Sequence, residues 1–353
     1  MKLKTGSLLA AVLAAACALL VFPAQASLGA KNGLNYSLNI LIPSLYPFMV
    51  LSVFVVKSGL AEKIGRFLEK PTRALFRLPG AAATPALMGL IGGYPAGARS
   101  VAALYESGAV SAQEAERMLF FCVNSGPSFV ITAVGVGFLK NPAAGYILFV
   151  SQTAAFLLMG VLTGLTAGRR ERPAPRRERA GGAGTAQALI GSASDAAYST
   201  LMMCCFVILF AVLMSLARMF VTSPVPSAAV SALIEVTGGC SDLAKIQAPL
   251  WAFSLALGWG GVCVHFQILA CAGKLRVRKG RFELCRLLQG VVAAAVCRGI
   301  TGLCPQSAEV FSNVNGPVSG GLADSVPAAA ALILMLAALL MTAPEQKLDT
   351  GKK

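Results

Sequence analysis

The sequence predicts an all-α fold: a polytopic membrane protein of about eight transmembrane helices and two re-entrant helical hairpins, arranged as an inverted repeat. Three observations predict it. Of 353 residues, 56% are hydrophobic and only 13% charged, with a mean hydropathy of +0.71, far from the usage of soluble domains. Uncharged runs of about 17 to 26 residues, long enough to span a bilayer, recur from end to end. Finally, glycine and proline interrupt apolar segments at Gly92-Gly93-Tyr94-Pro95, Asn124-Ser125-Gly126-Pro127, Gly238-Gly239-Cys240-Ser241 and Gly258-Trp259-Gly260-Gly261. A helix broken at membrane depth frees backbone groups that hydrocarbon cannot satisfy, so it survives only inside protein or beside a water-filled cavity.

The chain opens with Lys2 and Lys4 ahead of an uncharged stretch, and residues 5–28 read as a first span. Ala24-Gln25-Ala26 would also serve as a signal-peptidase site, but the stretch exceeds the roughly 20 residues needed to cross, which favours a retained helix. Residues 38–56 form the second span, followed by a basic segment at 57–77. Residues 78–98 are split by Gly92-Gly93 and read as a hairpin that enters and leaves by one face. In the polar connection that follows, Gly108 stops one helix, and Ser111 with Glu114 forms a capping box that opens the next. Residues 118–139 are a span broken at Asn124, and residues 143–168 an unbroken one. The second half gives a span at 196–217, a hairpin over 227–250 split by Gly238-Gly239, and spans at 248–273 and 287–303. A last span covers 325–343.

Net charge is +15, yet 23 of the 30 Lys and Arg fall in five segments flanking apolar runs, at 2–4, 57–77, 169–179, 274–286 and 347–353. With the amino terminus inside and neither hairpin counted as a crossing, all five fall on one side, as the positive-inside rule asks. The charge therefore needs no nucleic-acid partner. Anionic lipid at cytoplasmic loops is the expected counter-charge, with both termini in the cytoplasm and the chain in the inner membrane. The order span, hairpin, broken span, span occurs twice from opposite faces, which is an inverted-topology repeat. The divisions are an anchor at 1–34, a first repeat at 35–168, an Arg/Pro/Gly linker at 169–184, a second repeat at 185–303, and a terminal helix and tail at 304–353.

The breaks carry the chemistry. Proline suits the first turn of a helix, so Pro95 and Pro127 each open a half-helix whose free N–H groups and positive dipole end face the membrane centre. Ser125 is placed to cap the second of these, with Asn124 offering donors and acceptors beside it. The expected solute-binding residues are Gly92, Gly93, Tyr94, Pro95, Asn124, Ser125 and Gly126 from the first half. The second half contributes Gly239, Cys240, Ser241, Asp242, Trp259 and the sole histidine, His265. Ionisable groups inside a membrane are expensive and point to function. No catalytic motif or clustered carboxylate pair is present, which argues against an enzyme, and neither a cofactor nor a resident metal is expected.

Gly92-Gly93-Tyr94-Pro95-Ala96-Gly97-Ala98, with Leu104-Tyr105-Glu106-Ser107-Gly108, Glu114-Ala115-Glu116-Arg117 and Cys122-Val123-Asn124-Ser125-Gly126-Pro127-Ser128-Phe129, resembles the YlbJ-type sporulation integral membrane proteins. Ser44-Leu45-Tyr46-Pro47-Phe48 extends the likeness upstream. That family belongs to the nucleoside-recognition, or Gate, domain group, alongside spore maturation proteins, the membrane part of ferrous-iron transporters and the core of concentrative nucleoside transporters. The resemblance implies a spore-forming bacterium, a role in spore formation, and a transporter-like architecture of hairpins meeting broken helices.

The leading expectation is a transporter-like protein that binds or moves a small polar solute between the hairpins. Transport of a soft divalent metal through Cys122, Cys240, Cys263 and His265 is one alternative. A membrane scaffold for spore cortex assembly is another. A second copy of the chain and other sporulation proteins are the candidate protein partners.

Overall fold

The computed structural model describes residue 13, residues 15–166 and residues 184–303. All regular structure in the described residues is helical. The expected starts of the first span, the 169–179 basic segment and the 325–343 span lie outside them.

Helix α1 (Pro23–Tyr36) continues through a wide π-helical stretch (Ser37–Leu41) into α2 (Ile42–Lys57). The two expected spans at 5–28 and 38–56 are therefore not separated by a turn here. The chain bends by 55° between Pro23–Leu41 and Leu45–Val55, and the anchor boundary at residue 34 falls inside continuous helix. No strong breaker stands between Asn35 and Ser37, and an i→i+5 stretch absorbs the change of direction. Helix α1 lies against α8 (Thr185–Ala217) through Gly29 and Gly33, where an added Cβ would come within 2.7 Å of Val212 Cα and 2.6 Å of Ile208 Cα. Small residues allow such close helix packing, one of the sources of helix association in lipid.

The 57–77 segment folds into two short helices, α3 (Leu60–Phe67) and α4 (Glu69–Phe76), with Lys63, Arg66, Lys70 and Arg73 exposed. Helix α5 (Ala83–Glu106) contains the first expected break. Gly93 has φ 81° and ψ −169°, a conformation open to glycine and strained for other residues. The chain reverses there: a Cβ on Gly97 would lie 3.0 Å from Gly89 Cα, whereas eight residues of straight helix would separate them by about 12 Å. The carbonyl of Cys122, from the broken span, reaches between these glycines, 1.8 Å from a Cβ built on Gly89 and 2.1 Å from one on Gly97. Only bare Cα atoms leave room for it.

Helix α6 (Ala112–Leu119) opens with the expected capping box: Ser111 Oγ accepts from Glu114 N at 3.2 Å, and Ser111 N donates to Glu114 at 2.9 Å. The span then unwinds over residues 123–126 and resumes at Pro127 as a second π-helical stretch (Ser128–Phe138) before α7 (Pro142–Leu165).

In the second half, α8 leads to α9 (Pro224–Ile234) and α10 (Val236–Lys245), then α11 (Leu250–Trp259), α12 (Gly261–Cys271) and α13 (Lys279–Leu303). Two expectations need correction here. The second hairpin turns at Glu235, whose backbone is extended (φ −146°, ψ 124°), and not at Gly238-Gly239. Gly239 instead lets the arms touch, since its Cβ would sit 2.4 Å from Ala232 Cα. The seventh span begins at Lys279 rather than Leu287, which draws Arg286 out of the supposed loop cluster and into the membrane-spanning helix.

Among the described residues, four helices are long and apolar enough to cross a membrane: Pro142–Leu165, Thr185–Ala217, Leu250–Cys271 with its internal break, and Lys279–Leu303. Two bent pairs, Pro23–Leu41 with Leu45–Val55 and Glu69–Phe76 with Gly80–Glu106, bring the number to six if each is one span.

Polar contacts fix the two ends of the molecule. At one end Arg117 donates to the carbonyls of Phe76 and Arg77 at 2.7 and 2.8 Å. Glu116 there accepts from Arg278, and Lys57 pairs with Asp195 near the start of α8. At the other end of α8, Arg218 and Lys245 pair with Asp242. The base of the first hairpin therefore lies at the basic end and that of the second at the opposite end, so the hairpins point toward each other.

Candidate functional site

Where the hairpin tips meet, the two breaks meet as well. A Cβ on Gly126 would lie 3.3 Å from Gly93 Cα, and one on Gly261 would lie 3.1 Å from Glu235 Cα. Each tip is thus pressed against the unwound backbone of the broken span in its own half.

A helix that stops inside a membrane leaves its last carbonyls without partners. The end of α11 shows how this chain meets that demand, carbonyl by carbonyl. Ala256 O accepts from Gly260 N at 2.8 Å. Leu257 O accepts from the Tyr94 hydroxyl and, at 3.3 Å, from Ser125 Oγ. Gly258 O accepts from Arg286 Nη2, and Trp259 O meets His265 Nε2 at 3.1 Å. Side chains from the first half, from α13 and from the next half-helix thus close one broken end.

Arg286 is fully buried and reaches both halves. Nη1 donates to Val123 O, in the unwound part of the first broken span, and to Gln289 Oε1 at 2.8 Å. Gln289 Nε2 passes the contact on to Asn124 Oδ1 at 3.3 Å. The guanidinium lies 5.5 Å from the centre of the Tyr94 ring, and the Tyr94 hydroxyl also bonds Ser125 Oγ. Among the described residues, Asn124 Nδ2 and Arg286 Nε are buried without a hydrogen-bond partner.

Beside this polar knot opens a small cleft of about 30 Å³, room for one or two waters. Gly93, Tyr94 and Pro95 line it from the first tip, Gly126 from the first break, and Glu235, Val236 and Thr237 from the second tip. Val264 and Gln267 of α12 complete its polar and apolar sides with residues of α2 and α8. Glu235 is buried, its carboxylate accepting from Thr237 N at 2.8 Å and Gly238 N at 2.6 Å. It thereby caps α10 at the tip.

The expected site residues distribute unevenly. Gly93, Tyr94, Pro95 and Gly126 border the cleft, while Asn124 and Ser125 sit in the knot behind it. Ser125 does not cap the half-helix after Pro127, because its hydroxyl is turned to Tyr94 and Leu257. Gly92 is buried in the first hairpin and Gly239 in the second. Cys240 is buried in the core beneath the second tip, and Ser241 is half-buried further along α10. Asp242 belongs to the ion group at the far end. Trp259 donates to Leu233 O at 3.0 Å and stacks edge-to-face on His265, which also meets Phe282. His265 is a packed, carbonyl-bound ring outside the cleft. Among the described residues no three His, Cys, Asp or Glu side chains gather as metal ligands would.

Sequence reasoning left Arg286, Gln289 and Thr237 out of the site. A signal for the first two exists: Phe282, Arg286, Gln289, Gly290, Ala293 and Cys297 follow helical spacing and form the buried face of α13.

Opposed hairpins, two broken spans and a cleft at their meeting point define an all-helical integral membrane protein built on the interrupted-helix plan. Comparison with known proteins agrees. Residues 38–142 match the Gate family, described as nucleoside recognition. The sporulation integral membrane protein YlbJ of Bacillus subtilis (strain 168) is 30% identical, over 76% of this chain and 76% of that protein. No solved structure gives a significant match. The chain belongs to the YlbJ family of sporulation integral membrane proteins.

Proposed function

We propose that this chain is a carrier-like protein of the sporulation membrane that binds a small polar solute between its hairpin tips and passes it across. The observation that supports the reading most directly is that three backbone interruptions, at Gly93, Gly126 and Glu235, border one cleft, with the fourth, at Gly261, packed behind Glu235. Tip residues Gly93, Tyr94 and Pro95 offer backbone and a ring face, while Glu235, Thr237 and Gln267 offer acceptors and donors. A solute of nucleoside size enters only when the tips part, so the arrangement corresponds to a closed position in a cycle where one repeat moves against the other. On this reading the protein sits in the inner membrane, and the positive-inside rule favours the basic end, with its 57–77 and 274–279 segments, on the cytoplasmic side.

The test is a thermal-shift screen of purified protein with nucleosides, nucleobases and polyols. A bound solute raises the unfolding midpoint with the logarithm of its concentration. The reading expects a rise that follows this logarithmic dependence and is lost in Thr237→Val and Gln267→Leu. A rise that persists in both variants, or none with any of the three classes, overturns it.

A further inference from the structure

Carriers built on broken helices hold their coupling cation with unwound carbonyls and the carbonyl ends of half-helices, where the helix dipole is negative. In this chain the corresponding carbonyls are already in use. Val123 O belongs to the break of the first half and Gly258 O to the last turn before the break of the second, and both accept from one fully buried guanidinium, Arg286. A third donor contact goes to Gln289 and the Tyr94 ring faces the charge. No carboxylate pairs with Arg286 among the described residues; the ion pairs there involve Lys57, Arg73, Arg218, Lys245 and Arg278. A buried cation is ordinarily retained only with a paired anion, so its compensation here comes from carbonyl dipoles of two severed helices.

We propose that Arg286 is a tethered cation that takes the place of a dissociable coupling ion between the two breaks, so that this locus needs no sodium. The planar fork of arginine suits the task, since it reaches two carbonyls on different segments at once, which the point charge of lysine does not. A free cation entering the same carbonyl cluster would meet a like charge already in place. The name coupling ion depends on the carrier reading above, whereas the role of the charge does not, and the experiment separates the two because it contains no solute.

The unfolding midpoint of the purified full chain is measured in sodium, potassium and N-methylglucamine chloride at equal ionic strength. The expected result is one midpoint in all three. Arg286→Ala is expected to unfold several degrees lower and to regain at least half of the loss with methylguanidinium, with little regained from methylammonium at the same concentration. If Arg286→Ala does not fold, Arg286→Lys serves, with a midpoint expected below that of the unaltered protein. A concentration-dependent stabilisation of the unaltered protein by sodium over potassium overturns the proposal, and so does equal rescue by the two additives. An Arg286→Lys midpoint equal to that of the unaltered protein overturns it as well.

Discussion

Tyr94 places one hydroxyl between two halves of the molecule, bonding Ser125 Oγ in its own half and Leu257 O in the other. Tyr94→Phe keeps the ring and its packing but leaves that carbonyl with Ser125 alone. Loss of one such bond at a buried acceptor costs about 1–3 kcal/mol, to be read as a lower unfolding midpoint. Ser125→Ala should cost less, because the Tyr94 bond to Leu257 remains. At this scale the sequence was only partly legible. Gly92-Gly93-Tyr94-Pro95 announced a break because glycine and proline have few other uses inside an apolar run. Arg286 gave no such notice, since it follows Arg278, Lys279 and Arg281 and reads as one more loop charge until its helical spacing with Phe282 and Gln289 is considered.

Elements in this fold approach one another through glycine. Gly89→Ala and Gly97→Ala would each drive a methyl into Cys122 O, whose position is fixed by the unwound span. Both should prevent the first hairpin from docking, seen as loss of monodisperse protein in detergent. Gly280 lies in α13 with nothing within 4 Å of a Cβ built there. Gly280→Ala should therefore stabilise by about 0.5–1 kcal/mol, through helix propensity and a less flexible unfolded chain. Gly238-Gly239 shows why glycine misled: the same residue serves chain reversal and close approach, and composition alone does not distinguish them. The second reversal falls instead at Glu235, which bonds the N–H groups of the helix it starts.

The tie between α6 and the α12–α13 loop is ionic. Arg278 meets Glu116 through its backbone N at 2.7 Å, through Nε at 3.0 and 2.9 Å, and through Nη2 at 2.5 Å. Burial raises the Glu116 pKa, but the hydrogen bonds and charge of Arg278 outweigh it and hold the carboxyl below its ordinary value of 4.5. A carboxyl depressed in the folded state contributes stability that is present above the ordinary value and lost as pH falls through the folded one. Acidification below about 4.5 should lower the unfolding midpoint, and Glu116→Gln should flatten that dependence. An unchanged slope in the variant would assign it to other groups.

For the molecule as described, the legible part was its all-helical membrane class, the order hairpin, broken span and span in the first half, and the gathering of the 57–77 and 274–286 segments at one end. Contacts of Arg117, Arg278 and Lys57 bring two of the expected basic segments, 57–77 and 274–286, to the start of α6 and of α8, with Arg218, Lys245 and Asp242 at the opposite end. Cysteines introduced at Lys63 and Lys274 should accept a membrane-impermeant thiol reagent from one face only, and one at Lys245 from the other. Labelling of all three from the same face would mean that one hairpin is a full crossing. The boundaries of α1 and α2 were not legible, because a π-helical stretch joins them where hydropathy alone suggests two segments.

The bonds that close the breaks are exchanged between halves: Leu257 in the second is served by Tyr94 and Ser125 of the first, and Val123 in the first by Arg286 of the second. During synthesis, a nascent chain that has emerged only as far as the end of the first repeat holds the Val123 carbonyl without its Arg286 donor until the remainder follows. Fragments encoded on separate genes and divided within the 169–184 linker would have to be produced together, each acting as the folding template of the other.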